Sequence, residues 1–494
     1  MPDYKKISKQ IGVSYFIQGL SFFTNFFLFM ILTRMLTKSD YGIYTILIAT
    51  FAMLSRILLL GLHSFIIRDI AGRQFKEKKR RISIILNFVT ITLAVFLFFS
   101  YAIKKSLLEY FRLSTHDLLF QIVILLVFLA VLMKLIASYL VANKKIIESR
   151  ILSFLAIESW GLLIIFYGLY KRGLTINEVF YLRILVALLI FIASFVYLFK
   201  NKVWKINLKT FDKKYIKNAL KFSVPIMLVG AISWIITASD RYILGFFHGS
   251  VKVALYSYSY SLFSFVLTAG MIISSTLLPY IAEAWNKKMK EKANFLFNAS
   301  IKYTLTLVLP AIFGLLVMKK EIATMISGTK YLSALPIIPI LMFFPLIHLV
   351  NIIYQQALLL KNKTRVIGLI YLIGLITNII LNFLLIPPFH FYGASIATIL
   401  TYILMFGLFY RKCRTLIKLD NKYIRTWRIV LSTLLMSLLL YFTHPTVIYT
   451  KLLVICLGAA FYFIILFSLG GFVKEEIDLL RKIIKRKIPL KDYF

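Results

Sequence analysis

The 494-residue chain is 60% hydrophobic, has a mean hydropathy of +0.85, and carries 59 lysines and arginines against 19 aspartates and glutamates, a net charge of +40. A water-soluble globular protein does not need so many apolar residues, so the composition excludes that class. The positive charge lies between long apolar runs and not on one basic domain, which argues against nucleic acid as a partner.

The apolar runs predict an all-α, polytopic membrane protein with about 14 transmembrane helices, because a bilayer core of about 30 Å takes roughly 20 helical residues to cross. In chain order the predicted spans are 11–33, 41–67, 82–103, 118–142, 151–170, 179–199, 222–247, 253–281, 303–318, 333–360, 366–386, 391–410, 429–443 and 449–470. Residues 474–487 alternate apolar and basic side chains at helical spacing, which predicts an amphipathic helix on the inner leaflet.

Most lysines and arginines fall in alternate loops and in the two tails. The positive-inside rule places those segments in the cytoplasm and predicts a multi-pass plasma-membrane protein with both termini cytoplasmic. The first apolar run has no small-residue cleavage site, so we interpret it as a retained helix. We interpret the basic loops as topology determinants in preference to binding sites for lipid headgroups.

Catalytic and cofactor chemistry finds little support in the sequence. The two cysteines, Cys413 and Cys456, cannot build a disulfide framework or a thiolate metal site, and no phosphate-binding GxxxxGK[ST] loop occurs. The longest predicted external loop, residues 104–117, is too short for a catalytic domain. We therefore predict no cofactor and no enzyme, and disfavour an integral-membrane polysaccharide polymerase or ligase.

An internal repeat organises the predicted helices. An offset of 212 residues aligns Lys9 with Lys221 and Tyr44 with Tyr256, and it aligns the basic runs 73–81 and 285–293. We predict two pseudo-symmetric six-helix lobes, 1–206 and 207–428, followed by two extra helices within 429–470 and a cytoplasmic tail, 471–494. Parallel lobes of this kind are typical of alternating-access transporters. No proline occurs between Pro2 and Pro225, so we expect helix kinks mainly in the second lobe.

Ionisable residues inside apolar spans are costly and usually mark a substrate or ion path. Arg56 and Lys134 lie about 23 Å from the outer face at 1.5 Å per residue, so we expect them to share a basic pocket. Arg183 and Arg241 lie nearer the outer face. The four cations are candidates for binding phosphate, which arginine holds bidentately. Snorkelling to the membrane interface is the alternative for each.

Two carboxylates lie within the predicted spans, Glu158 and Asp240. Either could bind a coupling ion, H+ or Na+, and Glu158 could instead be the counter-ion of Lys134. Asp240 is not expected to pair with its neighbour Arg241, because adjacent helical residues point about 100° apart.

The second lobe contributes a polar stripe at helical spacing, formed by His348, Asn351, Gln355 and Gln356. It could line a cavity or form interhelical hydrogen bonds. Tyr256 is followed by Tyr258 and Tyr260, and these rings could stack on sugars or form an aromatic belt at the membrane interface.

Several short motifs carry a family resemblance: Arg34-x-Leu36, Tyr41-Gly42-Ile43-Tyr44, Ser239-Asp240-Arg241 with Leu244-Gly245, and Val253-Ala254-Leu255-Tyr256. With the repeat, they resemble the polysaccharide flippases of the multidrug, oligosaccharidyl-lipid and polysaccharide (MOP) exporter superfamily. The resemblance implies twelve to fourteen helices in a V-shaped pair of lobes. It also implies that a lipid-linked oligosaccharide passes from the cytoplasmic to the outer leaflet for cell-surface polysaccharide synthesis.

By the same resemblance the lipid is a polyprenyl diphosphate whose diphosphate binds Arg56, Lys134 and Arg241. Implied partners are the lipid-linked oligosaccharide, membrane lipids, a polysaccharide polymerase and glycosyltransferases. The alternative is a cation-coupled multidrug exporter of the same superfamily, in which acidic residues would be expected to dominate the cavity.

Overall fold

The computed structural model describes residues 4–102, 116–204, 212–443, 445–473 and 476, and every regular element in them is helical. The predicted all-α class is confirmed. Most of the predicted external loop 104–117 lies outside the described residues, and so does the predicted tail helix 474–487 apart from Glu476.

In chain order, the described residues first form α1 Tyr4–Met35, α2 Lys38–Leu58, α3 Leu62–Ile70, α4 Phe75–Ala102, α5 Asp117–Ala142, α6 Ile146–Ile157, α7 Ser159–Lys171, α8 Ile176–Lys200 and α9 Lys213–Asn286. They are followed by α10 Lys290–Val317, α11 Lys319–Ser327, the 3-10 turn Leu332–Ile337, α12 Ile338–Leu341, α13 Phe344–Leu360, α14 Thr364–Cys413, α15 Asn421–Ile424, α16 Thr426–Tyr441 and α17 Ile448–Ser468.

Within the described residues, 10 helices are long and apolar enough to cross a membrane, or 11 if α6 and α7 form one span bent by 41°. The chain is therefore a multi-pass membrane protein. Two of these helices, α9 and α14, are 74 and 50 residues long and are interrupted by non-helical backbone at Gly249 and His390. The total of fourteen spans stays a prediction.

The chain divides into two compact units, Met1–Ala254 and Leu255–Phe494. This division differs from the predicted lobe boundary at residue 206. Residues 213–254 of α9 belong to the first unit, where this segment packs against α2. Gly42 permits the approach, since a Cβ there would lie 1.9 Å from the Ser250 carbonyl oxygen. Trp234 Nε1 donates to the Ala49 carbonyl at 3.3 Å. The lobe boundaries derived from the repeat stay predictions.

In the first unit, α5 is the central helix and packs against α2, α3, α4, α6 and α8. It is apolar almost all round, as expected for a helix enclosed by others. In the second unit the core includes Tyr258, whose ring stacks on Tyr331 with centroids 4.4 Å apart. Helices α16 and α17 join this unit, and the Tyr462 hydroxyl of α17 donates to the Thr306 carbonyl of α10 at 3.0 Å.

Two predicted spans of the first unit are broken without proline, and the expectation that kinks occur mainly in the second lobe stays a prediction. Between α2 and α3, Leu60 and Gly61 take left-handed φ angles of 49° and 68°. A Cβ at Gly61 would lie 2.4 Å from the Ser223 carbonyl oxygen, so close packing favours glycine there. The second break, at Glu158, separates α6 from α7.

Candidate functional site

The break between α2 and α3 lies beside the first candidate cation. Arg56 is in the last turn of α2, and its guanidinium lies 4.2 Å from the ring centroid of Trp234 on α9. Its Nη1 donates to the Ala52 carbonyl at 3.1 Å, while much of the side chain stays exposed. A cation over an indole face is held by the ring quadrupole and keeps its charge available to a ligand.

Lys134 lies on the central helix α5 and is exposed, although Val131 and Ser138 near it on the helix are buried. Lys134 is within electrostatic range of His63 on α3 and of Arg150 on α6. Since Arg56 and His63 flank the break in span 2, the structure supports a basic region around that break.

Arg183 on α8 is the most enclosed of the three first-unit cations, with 7% of its surface exposed. Its guanidinium lies 4.5 Å from the Phe51 ring centroid and 4.7 Å from that of Trp160. Its Nη1 has no hydrogen-bond partner. The side chain is thus enclosed by aromatic rings.

Glu158 lies at the break between α6 and α7, half-buried, where the Ser21 hydroxyl of α1 donates to its carboxylate. Its Oε2 is buried without a hydrogen-bond partner. Within the described part of the chain no ion pair joins Glu158 to Lys134, so the counter-ion interpretation finds no support. Trp160 Nε1 donates to the Ile157 carbonyl at 2.7 Å and satisfies a backbone group at the break.

Asp240 and Arg241 form an ion pair, contrary to the prediction that these neighbours do not pair. The Arg241 side chain folds back along α9, where its Nη1 donates to the Thr237 carbonyl at 2.7 Å. This conformation brings Nη1 to 3.6 Å from Asp240 Oδ1, a long ion pair that the flexible arginine stem makes possible. The buried Asp240 also accepts a hydrogen bond from the Arg241 backbone N–H at 2.8 Å. This pair therefore offers an anion less positive charge than the other three cations.

The polar stripe on α13 forms interhelical hydrogen bonds within the second unit. Asn351 Nδ2 donates to the Tyr402 carbonyl of α14 at 3.2 Å, and Gln355 Oε1 accepts from the Tyr371 hydroxyl at 2.9 Å. His348 lies against Tyr402, with ring centroids 4.8 Å apart, and its Nδ1 has no partner. The interhelical alternative therefore describes Asn351 and Gln355 better than cavity lining does.

The three tyrosines of α9 lie in the core of the second unit. Tyr256 is fully buried and its hydroxyl is 3.2 Å from Thr398 Oγ1. Tyr258 and Tyr260 are also buried. The prediction of Tyr256 as a cavity-lining residue is wrong, as are the sugar-stacking and aromatic-belt interpretations, because packing against neighbouring helices covers these rings.

The first unit thus contains three cations, Arg56, Lys134 and Arg183, that have no carboxylate partner among the described residues. Of the three, Arg183 is buried without a counter-charge, which is costly, and its aromatic neighbours compensate only part of that cost. Since no carboxylate of the described chain pairs with these cations, an anionic ligand would be attracted to them. Phosphate suits it best, because guanidinium groups hold phosphate oxygens bidentately.

At one end of this region a polar network holds α3 against α9. Asp69, at the end of α3, accepts hydrogen bonds from Arg81 Nη1 at 2.7 and 2.8 Å and from the Tyr215 hydroxyl at 2.8 Å. Phe65 of α3 contacts the Tyr215 ring, with centroids 5.7 Å apart. The segment that follows the break in span 2 is therefore fixed to the start of α9.

Comparison with known proteins identifies the family. The model of the family described as "Polysaccharide biosynthesis protein" matches residues 7–285, more than half of the chain. The chain belongs to the polysaccharide biosynthesis protein family. A second family model, MatE, matches residues 225–384. The predicted resemblance to polysaccharide flippases of the MOP superfamily is confirmed.

Two curated relatives are similar over about half of the chain. Agl15 of Haloferax volcanii, named a probable low-salt glycan biosynthesis flippase, is 25% identical over 225 residues, 45% of this chain and 47% of that protein. The membrane protein MJ1068 of Methanocaldococcus jannaschii is 26% identical over 286 residues, 56% of this chain and 55% of that protein. The chain thus matches about half the length of these relatives.

Solved structures share the fold. The lipid II flippase MurJ in an inward closed conformation superposes with a TM-score of 0.76 at 16% identity, over 92% of this chain and 98% of MurJ. An inward-facing multidrug resistance MATE family transporter of the MOP superfamily gives a TM-score of 0.66 at 13% identity, over 80% of this chain and 95% of that chain. These likenesses show that the chain has a MurJ- and MATE-like helical fold, while the number of helices stays a prediction.

Sequence analysis missed several residues of the basic region. His63 falls within predicted span 2, so the rule for ionisable residues inside spans, which found Arg56, could also have found it. The aromatic partners Trp234, Trp160 and Phe51 are apolar residues among many others. No local pattern in the sequence distinguishes them.

We expect Asp69→Asn to destabilise the protein at neutral pH, by about 1–3 kcal/mol for the loss of charge-assisted hydrogen bonds. Partial burial raises the pKa of Asp69, but hydrogen bonds from Arg81 and Tyr215 outweigh it and lower the pKa below its usual value. The ionised carboxylate therefore stabilises the fold at neutral pH, and this contribution is lost as pH falls below about 4. Melting temperatures of wild type and variant, measured in detergent between pH 7 and pH 3, should converge at the acid end.

The matched control for this experiment is Glu148→Gln, which removes an exposed carboxylate of α6. Its melting temperature should stay close to that of the wild type throughout. An equal loss in both variants, or an Asp69→Asn deficit that does not change with pH, would contradict the role given to Asp69.

Proposed function

We propose that this protein is a flippase that moves a polyprenyl-diphosphate-linked oligosaccharide from the cytoplasmic to the outer leaflet. The observation that supports the proposal best is the set of cations Arg56, Lys134 and Arg183, which have no carboxylate partner in the described chain. Membership of the polysaccharide biosynthesis family is consistent with this cargo, and Agl15 is itself named a probable glycan biosynthesis flippase.

The charge of these three side chains favours an anionic cargo over the main alternative, the cationic compounds of a multidrug exporter. A multidrug exporter for cationic compounds would be expected to place carboxylates in its cavity, whereas three unpaired cations would repel such a cargo. A diphosphate carries two or more negative charges at neutral pH and can accept hydrogen bonds from several donors. Each charge-assisted contact of this kind contributes about 1.5–3 kcal/mol.

An apolar cavity in the second unit has walls suited to hydrocarbon chains. It has a volume of about 360 Å³ and lies among α10, α16 and α17. Its walls include Leu307, Ala311, Met436, Leu440 and Phe463. A hydrocarbon chain needs such walls, because each buried CH2 group gains about 0.8 kcal/mol of transfer free energy.

Alternating access would expose the headgroup site first to one side of the membrane and then to the other. The breaks at Gly61 and Glu158 supply points where a span can bend without unfolding its helical segments. An inside-negative membrane potential would favour outward movement of an anion by about 2.3 kcal/mol per charge per 100 mV. We propose that the protein lies in the plasma membrane with both termini cytoplasmic. In the biosynthetic sequence it would act after the glycosyltransferases that build the sugar and before a polymerase that uses it.

For ion coupling, Glu158 is a stronger candidate than Asp240. The Glu158 carboxylate lies at a helix break with a buried Oε2 that has no hydrogen-bond partner. Asp240, by contrast, already contacts Arg241 through both the backbone and the guanidinium. Unpartnered carboxylate oxygens at an interrupted span are suited to bind H+ or Na+.

We expect Arg56→Gln and Lys134→Gln to abolish surface polysaccharide without lowering the amount of protein in the membrane. Each change removes a charge-assisted contact to the diphosphate, and a loss of 1.5–3 kcal/mol corresponds to about 10- to 150-fold weaker headgroup binding. Surface polymer and membrane protein level are measured in a strain that lacks the native gene.

Lys38→Gln is the matched control, because it removes a cation from the opposite end of α2. This variant should produce normal polymer. Normal polymer in both Arg56→Gln and Lys134→Gln would remove these residues from the site and with them the main support for an anionic cargo.

We further expect Glu158→Gln to change the dependence of flipping on pH or on sodium, since a neutral amide can neither release a proton nor attract Na+ by its charge. Flipping is measured in vesicles with a fluorescent lipid diphosphate across a range of pH and of sodium concentration. An unchanged profile in Glu158→Gln would discard the coupling role, while leaving the proposed cargo in place.

A further inference from the structure

Two clefts lined by basic side chains occur in the described chain, one in each unit. The first has a volume of about 550 Å³ and lies between the start of α4 and the end of α8. The second has a volume of about 720 Å³ and lies between the start of α10 and the segment after α14. Both lie at loops that the orientation prediction places on the cytoplasmic side.

The internal repeat relates the two clefts. Each is formed where the helix after the second predicted span of a half meets the segment after its sixth span. The offset of 212 residues that aligns Tyr44 with Tyr256 also aligns Val203, which lines the first cleft, with Thr415, which lines the second. The two halves therefore form a cleft at the same place, although the lining residues differ.

The first cleft has a strong excess of positive charge. Its cationic lining residues are Lys76, Lys79, Arg80 and Lys202. Its one lining carboxylate, Glu77, is already engaged, since its Oε1 lies 3.1 Å from Arg73 Nη1 and 2.8 Å from Arg81 Nη2. The charge of the lining is therefore available to an anion from outside the protein.

The second cleft is likewise lined by more cations than carboxylates, although the residues differ. Its cations are Lys288, Lys290, Lys361 and Lys418, against the single carboxylate Glu291. Trp285 contributes to the lining, and Lys361 Nζ lies 5.9 Å from the centroid of its indole ring. An indole beside a lysine is a common arrangement at the headgroup level of a bilayer.

Exposed apolar side chains border both clefts. Phe75, beside the first cleft, is 63% exposed and has Lys79 Nζ 4.3 Å from its ring centroid. Met289 and Leu419, each adjacent in sequence to lysines of the second cleft, are 48% and 51% exposed. A site for soluble phosphate has no need of such a border, whereas a lipid headgroup lies where polar and apolar surroundings meet.

We propose that each cleft binds the phosphate headgroup of an anionic phospholipid from the adjoining leaflet. The cations hold the phosphate, and the apolar border contacts the glycerol and the first methylene groups of the acyl chains. This site is distinct from the basic region around Arg56 and does not depend on the cargo of the transporter. The positive-inside rule requires only positive charge in a cytoplasmic loop, so it does not account for the clefts.

The test is native mass spectrometry of the full-length protein released from detergent that contains equal amounts of phosphatidylglycerol and phosphatidylcholine. The wild type should retain phosphatidylglycerol in preference, by about tenfold or more, as expected for several lysines around one phosphate. Combined replacement of Lys76, Arg80 and Lys202 by Gln should remove about half of the retained anionic lipid. Replacement of Lys288, Lys290 and Lys418 by Gln should do the same, and the two sets together should remove nearly all of it.

The matched control replaces Lys213, Lys214 and Lys217 by Gln, which removes three exposed lysines at the start of α9 that do not line either cleft. This variant should retain as much phosphatidylglycerol as the wild type. Equal losses in control and cleft variants would show unspecific attraction and overturn the proposal. Displacement of the lipid by inorganic phosphate at cellular concentration would assign the clefts to a soluble anion and would also overturn it. Unchanged melting temperatures would show that the cleft variants are folded.

Discussion

Unpaired positive charge inside an apolar helical unit is the constraint on which this account depends. Arg56, Lys134 and Arg183 lie within the first unit, and no described carboxylate neutralises any of them. Aromatic rings make the arrangement tolerable, since Trp234 lies under Arg56 while Phe51 and Trp160 enclose Arg183. Ring quadrupoles do not cancel the charge, however, and a bound anion would. The proposed anionic cargo rests on this uncompensated charge.

The same unit interrupts two of its spans next to these charges. The left-handed turn at Leu60 and Gly61 follows Arg56 by less than two helical turns, and Glu158 occupies the other break. Broken helices at membrane depth expose backbone groups, which polar cavities can accommodate and lipid cannot. Asp69 then fixes the segment after the first break to α4 through Arg81 and to α9 through Tyr215. A cation and a helix break thus lie close together in span 2, and the polar anchor at Asp69 follows them in the chain.

The sequence was sufficient to predict the membrane class, most helix positions and the cations, because hydropathy and isolated charges are local signals. It could not predict the aromatic partners, since Trp234 reaches Arg56 from a helix far along the chain. The sequence did not predict the two breaks of the first unit, because the breaks at Gly61 and Glu158 arise without proline from packing and local backbone geometry. The burial of Tyr256 also escaped prediction, as its cover comes from residues more than a hundred positions later, such as Thr398.

Binding of a lipid diphosphate to the purified protein tests the central claim most directly. The Trp234 ring centroid lies 4.2 Å from the Arg56 guanidinium carbon, and the Trp160 ring centroid lies 4.7 Å from that of Arg183. The fluorescence of these two tryptophans can therefore report a ligand bound to the arginines. Titration with an isoprenyl diphosphate should change that fluorescence saturably, and added salt should weaken the binding. The matching isoprenyl alcohol should bind far more weakly. Equal binding of the alcohol and the diphosphate would contradict the account, because the cations would then contribute nothing to recognition.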